Sequence, residues 1–486
     1  MENPKMMRAP NQPAFFGDLI CRFFKIARGI IGMLRQKEKI ARVFSSALPK
    51  IKPSARETEE CFEAAAQLIR KLERVVPQSV EIRLAGSLAK GTNLSKNNEF
   101  DIFILFPRHY AHHEMAMLGL HYARRAFAGM RTESRYAEHP YLQVFHGGFH
   151  ADIVPAYKIN DIGQKGSSVD RSQLHTQYVN AKLDAKGKDD VRLLKRFMKN
   201  FGIYGAELRV EGFSGYLCEL LIAHYGSLAK LMEAASKWDA PAIDMAGGKS
   251  AAELRKEFSS PLILVDPTDP KRNVAAVVAE TSLSRFVFEC RRFLKGPSER
   301  FFFSQKKQRS AAEIGGAIRK RGTLCLAVRF PAPKVVPDVL WPQLKKAAQA
   351  LVRHLESLDF SVFGYYHWSD GNECAVLLEL DCWQLPAVKK SRGPGVRFAS
   401  DVEEFTRKHA DCYNLHIEHD RMVAVERRKE TDALGALAKA CKNPHGLGIP
   451  SHMEGPLSQC RIIDAKRLSG KKYRELLSDY FFMKIT

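Results

Sequence analysis

The chain has 486 residues, 45% of them hydrophobic, with a formal net charge of +22 and a pI near 9.5. That length suits about three or four domains, and the excess of cations points to a polyanionic partner, nucleic acid before an anionic membrane surface. The cysteines, at positions 21, 61, 218, 290, 325, 374, 382, 412, 441 and 460, form no Cys-x-x-Cys pair, which argues against a zinc site and for reduced core thiols of a cytosolic protein.

Residues 15–34 are apolar but carry Asp18, Arg22, Lys25 and Arg28. Such a charge density argues against a membrane span or a signal peptide and predicts a basic amphipathic helix. An apolar helical period predicts a helix over 55–75, with Ser54 as its N-cap. The string GSLAKGT at 86–92 reads as a small-residue turn and a short helix start. A strand over 99–104 follows, with Glu99 and Asp101 on one face and Phe100, Ile102 and Ile104 on the other. A second apolar strand over 149–155 supplies Asp152. Neighbouring carboxylates repel unless a cation sits between them. Three converging acids beside a Gly-Ser turn suit a pair of divalent ions and a nucleoside triphosphate. Ser87, the amides after it and Lys90 would face the phosphates at the helix start. The turn lacks the G-x-G-x-x-G spacing of a dinucleotide site and the G-K-[ST] of a Walker loop.

Residues 158–168 read as a linker, and 170–294 as mostly helical, with 191–201 and 215–231 as the clearest helices. By themselves, the basic groups of 170–175 and 191–207 read as a capped helix start and an amphipathic helix with a solvated face. Two Asp-Pro pairs in 262–274 predict a rigid turn that holds Arg272 at a fixed angle. Strands over 324–330, 361–368, 374–380, 413–418 and 422–426, with helices over 341–357 and 402–409, follow the strand–helix–strand–strand–helix–strand order of a ferredoxin-like or RNA-recognition-like unit. The fold by itself needs no RNA contact; the case for an RNA surface rests on its basic flanks, Lys389, Lys390 and Arg392 on one side and Arg427, Arg428 and Lys429 on the other.

A Gly-Ser turn, an acid-x-acid strand and a third acid on a neighbouring strand resemble the polymerase-β-type nucleotidyltransferases. The strings at 86–92, 99–107, 151–157, 171–175, 191–207, GFSGYLCELL at 212–221 and 266–276 together resemble the archaeal-type, class I CCA-adding enzymes. The resemblance spans residues 36 to 430, and 393–397 and 402–428 look like that family's tail. It implies an α+β multidomain fold: an N-terminal extension over 1–35, a nucleotidyltransferase head over 36–169, a helical central domain over 170–294, and a ferredoxin-like or RNA-recognition-like body and RNA-binding tail over 295–486. It also implies a template-independent enzyme that adds C, C and A to tRNA from CTP and ATP with two Mg²⁺ ions.

By position, the resemblance makes Glu99, Asp101 and Asp152 the metal-binding carboxylates, and Ser87 and Lys90 contacts of the triphosphate, where the family often has Arg at the place of Lys90. Ser172, His175, Lys195 and Tyr204 fall where the family binds phosphates and ribose, and Arg272 where it reads the base edge. The implied partners are CTP, ATP and the acceptor and T-arm half of tRNA, in the cytoplasm and without a membrane; a homodimer is left open. Two alternatives stand beside this reading. One is a poly(A) or oligoadenylate polymerase of the same superfamily. The other is an RNA-binding protein with a decayed head, against which the three retained acids argue.

Overall fold

The computed structural model describes residues 32, 34–136, 140–304, 309–468 and 470–482. The helix expected over 15–34 lies almost entirely outside them. The chain divides into two compact units, one up to Ser304 and one from residue 305 onward.

The first unit opens with a helical stretch over 34–47 and helix α1 (Ala55–Glu73). Ser54 caps α1 as expected: its hydroxyl accepts from the Glu57 amide (3.1 Å), and the Glu57 carboxylate accepts from the Ser54 amide (2.8 Å). A five-stranded sheet follows, in the order β1-β2-β5-β4-β3. Its strands are β1 (Glu81–Ala85), β2 (Glu99–Phe106), β3 (Thr132–Tyr136), β4 (Pro140–His146) and β5 (Phe149–Tyr157). Only β2 and β5 run parallel. The short α2 (Gly86–Lys90) lies between β1 and β2, and α3 (His112–Ala126) follows β2. Phe100, Ile102, Ile104 and Phe106 bury one face of β2 against Leu68, Leu72, Met115, Leu120 and Phe127. The opposite face continues from Asp101 into a small apolar cluster of Ala85, Phe103, Leu105 and Ala156. The acids therefore stand at the mouth of a covered sheet face.

Residues 158–168 are not a loose linker. Buried Asp170 accepts from the amides of Tyr157 (2.9 Å), Gly166 (2.7 Å) and Ser167 (2.8 Å), which folds this segment back onto β5. Helices α4 (Ser172–Lys182), α5 (Ala185–Asn200), α6 (Gly215–Tyr225) and α7 (Leu228–Ala235) follow. The single helix expected over 215–231 is two helices, because Gly226 turns left-handed (φ +77) to end α6 and Ser227 caps α7. Residues 262–274 form a hairpin, β7 (Ile263–Asp266) and β8 (Asp269–Asn273), joined by β6 (Ala242–Asp244). The short α8 (Ala251–Glu257) precedes the hairpin, and α9 (Glu280–Lys295) follows it. Phe197, Leu217, Leu221, Phe286, Phe293, Phe301 and Phe302 share one core. Residues 295–304 thus pack with the helical part, beyond the expected boundary at 294.

The second unit contains α10 (Ala311–Arg321), β9 (Leu324–Pro331), α11 (Pro337–Ser357), β10 (Ser361–Ser369) and β11 (Glu373–Cys382). It continues with β12 (Val388–Gly395), α12 (Ala399–Lys408), β13 (Asn414–Glu418) and β14 (Arg421–Arg427). It ends in α13 (Ala433–Lys442), α14 (Ser451–Ser458), β15 (Arg461–Asp464) and α15 (Lys471–Phe482). The ferredoxin-like order is present, as the antiparallel sheet β10-β11-β9-β15. Its fourth strand is β15, and not the expected strands over 413–426. Those pair with each other and with β12 in a separate sheet, β12-β14-β13, inserted after β11. Helices α11, α13 and α14 bury one face of the larger sheet. The other face is closed by α10 and α15, through Ile314, Ile318, Tyr473, Leu476 and Leu477. On that face Glu379 binds Arg321, Thr323 and Tyr480, while Glu373 binds Arg329 and Lys472. The face that an RNA-recognition fold leaves open for RNA is therefore covered here.

Candidate active site

Parallel pairing sets Asp101 of β2 directly opposite Asp152 of β5, and antiparallel pairing sets Ala85 opposite Asp101. Gly86 follows Ala85 with φ +68, and a Cβ there would lie 1.8 Å from Asp101 Oδ2. Glycine is required at this turn because the carboxylate occupies the space a side chain would take. Burial, and then the charge of Asp152, push the Asp101 carboxyl up to about 6. Burial raises Asp152 too, although Gln143 Nε2 donates to its Oδ1 (2.8 Å) from the neighbouring β4. Two adjacent acids that resist ionisation, one nested against a glycine, form a donor set that suits a divalent cation. The third expected acid, Glu99, is more exposed: its charge adds to the rise of both Asp101 and Asp152, while its Oε1 bonds His150 Nε2 (2.9 Å). Among the described residues no group of three or more His, Cys, Asp or Glu is arranged to hold a metal ion.

A second cluster lies behind α2. Buried Glu219, on α6, accepts from Lys90 Nζ at Oε2 (2.7 Å). At Oε1 it accepts from Thr92 Oγ1 (2.6 Å) and Lys195 Nζ (3.2 Å). Lys195 also donates to the Thr92 hydroxyl (3.0 Å) and carbonyl (3.2 Å), which engages all three ammonium hydrogens. Lys90 has Glu219 as its one hydrogen-bond partner among the described residues, and its Nζ lies 5.5 Å from the Tyr216 ring centroid. Burial alone would raise the Glu219 carboxyl, but the charges of Lys195 and Lys90 outweigh it and hold the group at about 2. Arg192 fixes the same turn from α5, donating to the carbonyls of Asn93 (2.9 Å) and Gly91 (2.6 Å).

A third cluster surrounds Asp266 at the end of β7. It accepts from His175 Nε2 (3.1 Å), the Tyr216 hydroxyl (3.0 Å), Thr268 (2.8 Å) and Arg272 Nη1 (2.9 Å). Burial opposes ionisation of Asp266, yet the bonds from His175 and Thr268 keep it well below the usual carboxylate range. Burial lowers His175 against the opposing bond and charge of Asp266, and the ring stacks on Tyr216 with centroids 3.7 Å apart. Lys165 (2.9 Å) and Arg171 (3.3 Å) reach Asp269 and anchor the hairpin. Arg272 is thus held by its own hairpin, as the sequence predicts, but through Asp266 as well as through the backbone.

The clusters adjoin one another. The charge of Lys90 favours ionisation of Asp101, its Nζ lies by the Tyr216 ring, and Tyr216 hydrogen-bonds Asp266, which holds Arg272. A methyl on Gly215 would lie 3.1 Å from the Tyr204 hydroxyl and 3.6 Å from Lys195 Nζ, so Tyr204 borders the lysine cluster. Ser87 is half-buried on α2, and Ser172 is half-buried at the first position of α4, three residues before His175. Sequence reasoning missed Gln143, Tyr216, Glu219 and Asp266 as members of the site. The signal for Glu219 was a lone acid inside the apolar run of 212–221; the signal for Asp266 was an acid closing a buried strand.

Three sequence models match the chain in order: a nucleotidyltransferase domain at residues 65–178, a tRNA nucleotidyltransferase second domain at 189–303, and a CCA-adding enzyme C-terminal domain at 321–463. The CCA-adding enzyme of Methanosarcina mazei is 38% identical over 408 residues, covering 82% of this chain and 88% of that protein. That of Methanothermobacter thermautotrophicus is 36% identical over 417 residues, covering 84% and 90%. That of Halobacterium salinarum is 34% identical over 406 residues, covering 82% and 88%. Among the described residues no helix is long and apolar enough to cross a membrane.

Proposed function

The chain belongs to the CCA-adding enzyme family, and from that premise we propose that it adds C, C and A to the 3′ end of tRNA from CTP and ATP, releasing pyrophosphate. The observation that carries the reading is the Asp101–Asp152 pair beside Gly86, continuous through Lys90 and Tyr216 with Asp266 and Arg272. Phosphate, ribose and base each then meet a distinct chemistry.

The family's reaction uses nucleoside triphosphates and a divalent metal. Asp101 and Asp152, with Glu99 once it leaves His150, would hold the ions, as Mg²⁺. When bound, the metal lowers the pKa of the attacking 3′ hydroxyl and neutralises charge on the triphosphate. Lys90 meets the phosphates with the donors that Glu219 leaves open, and Lys195 adds its charge from behind. Ser87 and Ser172 border the phosphates; Tyr204 and His175 border the ribose. Arg272 spends one N–H on Asp266 and offers the others to the edge of cytosine or adenine. Holding the 3′ hydroxyl in line with the α-phosphorus supplies much of the remaining acceleration.

The inserted sheet of the second unit carries exposed Lys390, Arg392, Arg421 and Arg427 on one face. This face supports binding of the acceptor and T-arm half of tRNA by shape and backbone, as expected for an A-form helix. The nine free cysteines among the described residues support a cytoplasmic setting. The poly(A) polymerase alternative is not favoured, since the matches run through a domain specific to CCA addition. The test is incubation with tRNA lacking its 3′ CCA, Mg²⁺ and each labelled triphosphate. Ordered incorporation of two C and one A is the expected product; a long A tract would refute the reading.

A further inference from the structure

Glu219 meets no substrate group in the account above, and its buried placement needs a reason. It is 1% exposed, on a helix whose neighbours Leu217, Cys218, Leu220 and Leu221 are wholly buried. An apolar residue there would serve the core as well or better, because burying a carboxylate costs desolvation that its partners only offset. What Glu219 does supply is a fixed anchor. Thr92 and Lys195 hold Oε1, which leaves Oε2 aimed at Lys90. A lysine ammonium on a four-carbon stem is otherwise poorly fixed. The anchor also ties α6 to the turn after α2, 127 residues away in sequence.

Two ammonium groups share one carboxylate, so the cluster keeps a net positive charge beside Asp101. Lys195 has no free hydrogen to offer, whereas Lys90 does. The two lysines therefore do different work. We propose that Glu219 is a positioning residue for nucleotide binding: locked by Thr92 and Lys195, it aims the Lys90 ammonium at the triphosphate. This rests on the phosphate role given to Lys90 above.

The test is the KM for CTP and ATP of Glu219→Gln, measured in the wild-type and in the Lys90→Met background. Glu219→Gln keeps the shape and removes the charge. Loss of a charged hydrogen bond predicts a KM about tenfold higher, with kcat within about threefold. In the Lys90→Met background the same change should raise KM less than about threefold, since the group it positions is gone. Glu219→Asp, which keeps the charge, should recover part of the loss. An equal penalty in both backgrounds, or an unchanged KM in a folded Glu219→Gln protein, overturns the proposal. If Glu219→Gln alone fails to fold, the double variant removes one charge of each sign and is compared with Lys90→Met by itself. A difference below threefold supports the proposal, and a tenfold difference overturns it. A wild-type KM in Lys90→Met would show instead that Lys90 does not hold the triphosphate, and would remove the premise along with the proposal.

Discussion

Gly86→Ala separates the geometry of the acid site from the general cost of a left-handed turn. Gly86 sits at φ +68 with Asp101 Oδ2 1.8 Å from where a Cβ would be. An alanine here incurs a left-handed backbone cost of about 1–2 kcal/mol. The carboxylate must also swing off its staggered position, at about 0.5–1.5 kcal/mol, because the Cβ is fixed to the backbone and cannot yield. Together these amount to about 1.5–3.5 kcal/mol, or a melting shift of a few °C in a unit of this size. The catalytic loss should be larger, since moving the oxygen proposed to hold a metal by about 1 Å costs on the order of 100-fold in rate. Gly91→Ala is the control: its φ is +65, but the nearest atom to its Cβ is Lys188 Cδ at 3.6 Å. It should lose similar stability and keep its rate within about threefold. The assay is single-turnover addition of C to trimmed tRNA, beside thermal melting of both variants. Wild-type addition by Gly86→Ala, or an equal loss of rate in Gly91→Ala, would refute the reasoning.

Three further outcomes are expected. Arg272→Ala should lower CTP and ATP incorporation and relax discrimination against UTP and GTP, read by competition among the four triphosphates; unchanged selectivity would remove Arg272 from base recognition. Glu219 is held at about 2 against an ordinary 4.5, so its stabilising contribution is complete above pH 4.5 and is lost as pH falls through 2. That difference is worth on the order of 3 kcal/mol, and the melting-temperature gap between the wild-type and Glu219→Gln proteins should narrow over this interval. Binding of tRNA should weaken steeply with salt, by nearly one unit of log–log slope per phosphate contact, and reversing Lys390, Arg392, Arg421 and Arg427 to Glu should abolish most of it across tRNAs of different sequence.

The acid strand and the capped helix were legible in the sequence because their causes are local. Alternation placed Phe100, Ile102 and Ile104 opposite Asp101, and the capping box of Ser54 and Glu57 spans one helical turn. Gly226 was a local signal too, yet the apolar run on both sides of it masked the break. The choice of fourth strand in the second unit was not local. The strands over 413–418 and 422–426 were legible but the one over 461–464 was not, and only packing decides that the former pair with β12 while the latter joins β9. Strand β12 itself reads as a charge run, since a sheet with a solvated face can carry Lys390 and Arg392 there. The anchoring of Lys90 by Glu219, 129 residues onward, has no sequence signature beyond a lone acid in an apolar helix.

The central claim, that Asp101 and its neighbours carry the chemistry while the basic surface carries the RNA, is tested most directly by Asp101→Ala. Nucleotide addition to trimmed tRNA and equilibrium tRNA binding are measured on the same preparation. The account predicts that addition is abolished while the tRNA affinity stays close to that of the wild type; addition at a near wild-type rate would contradict it.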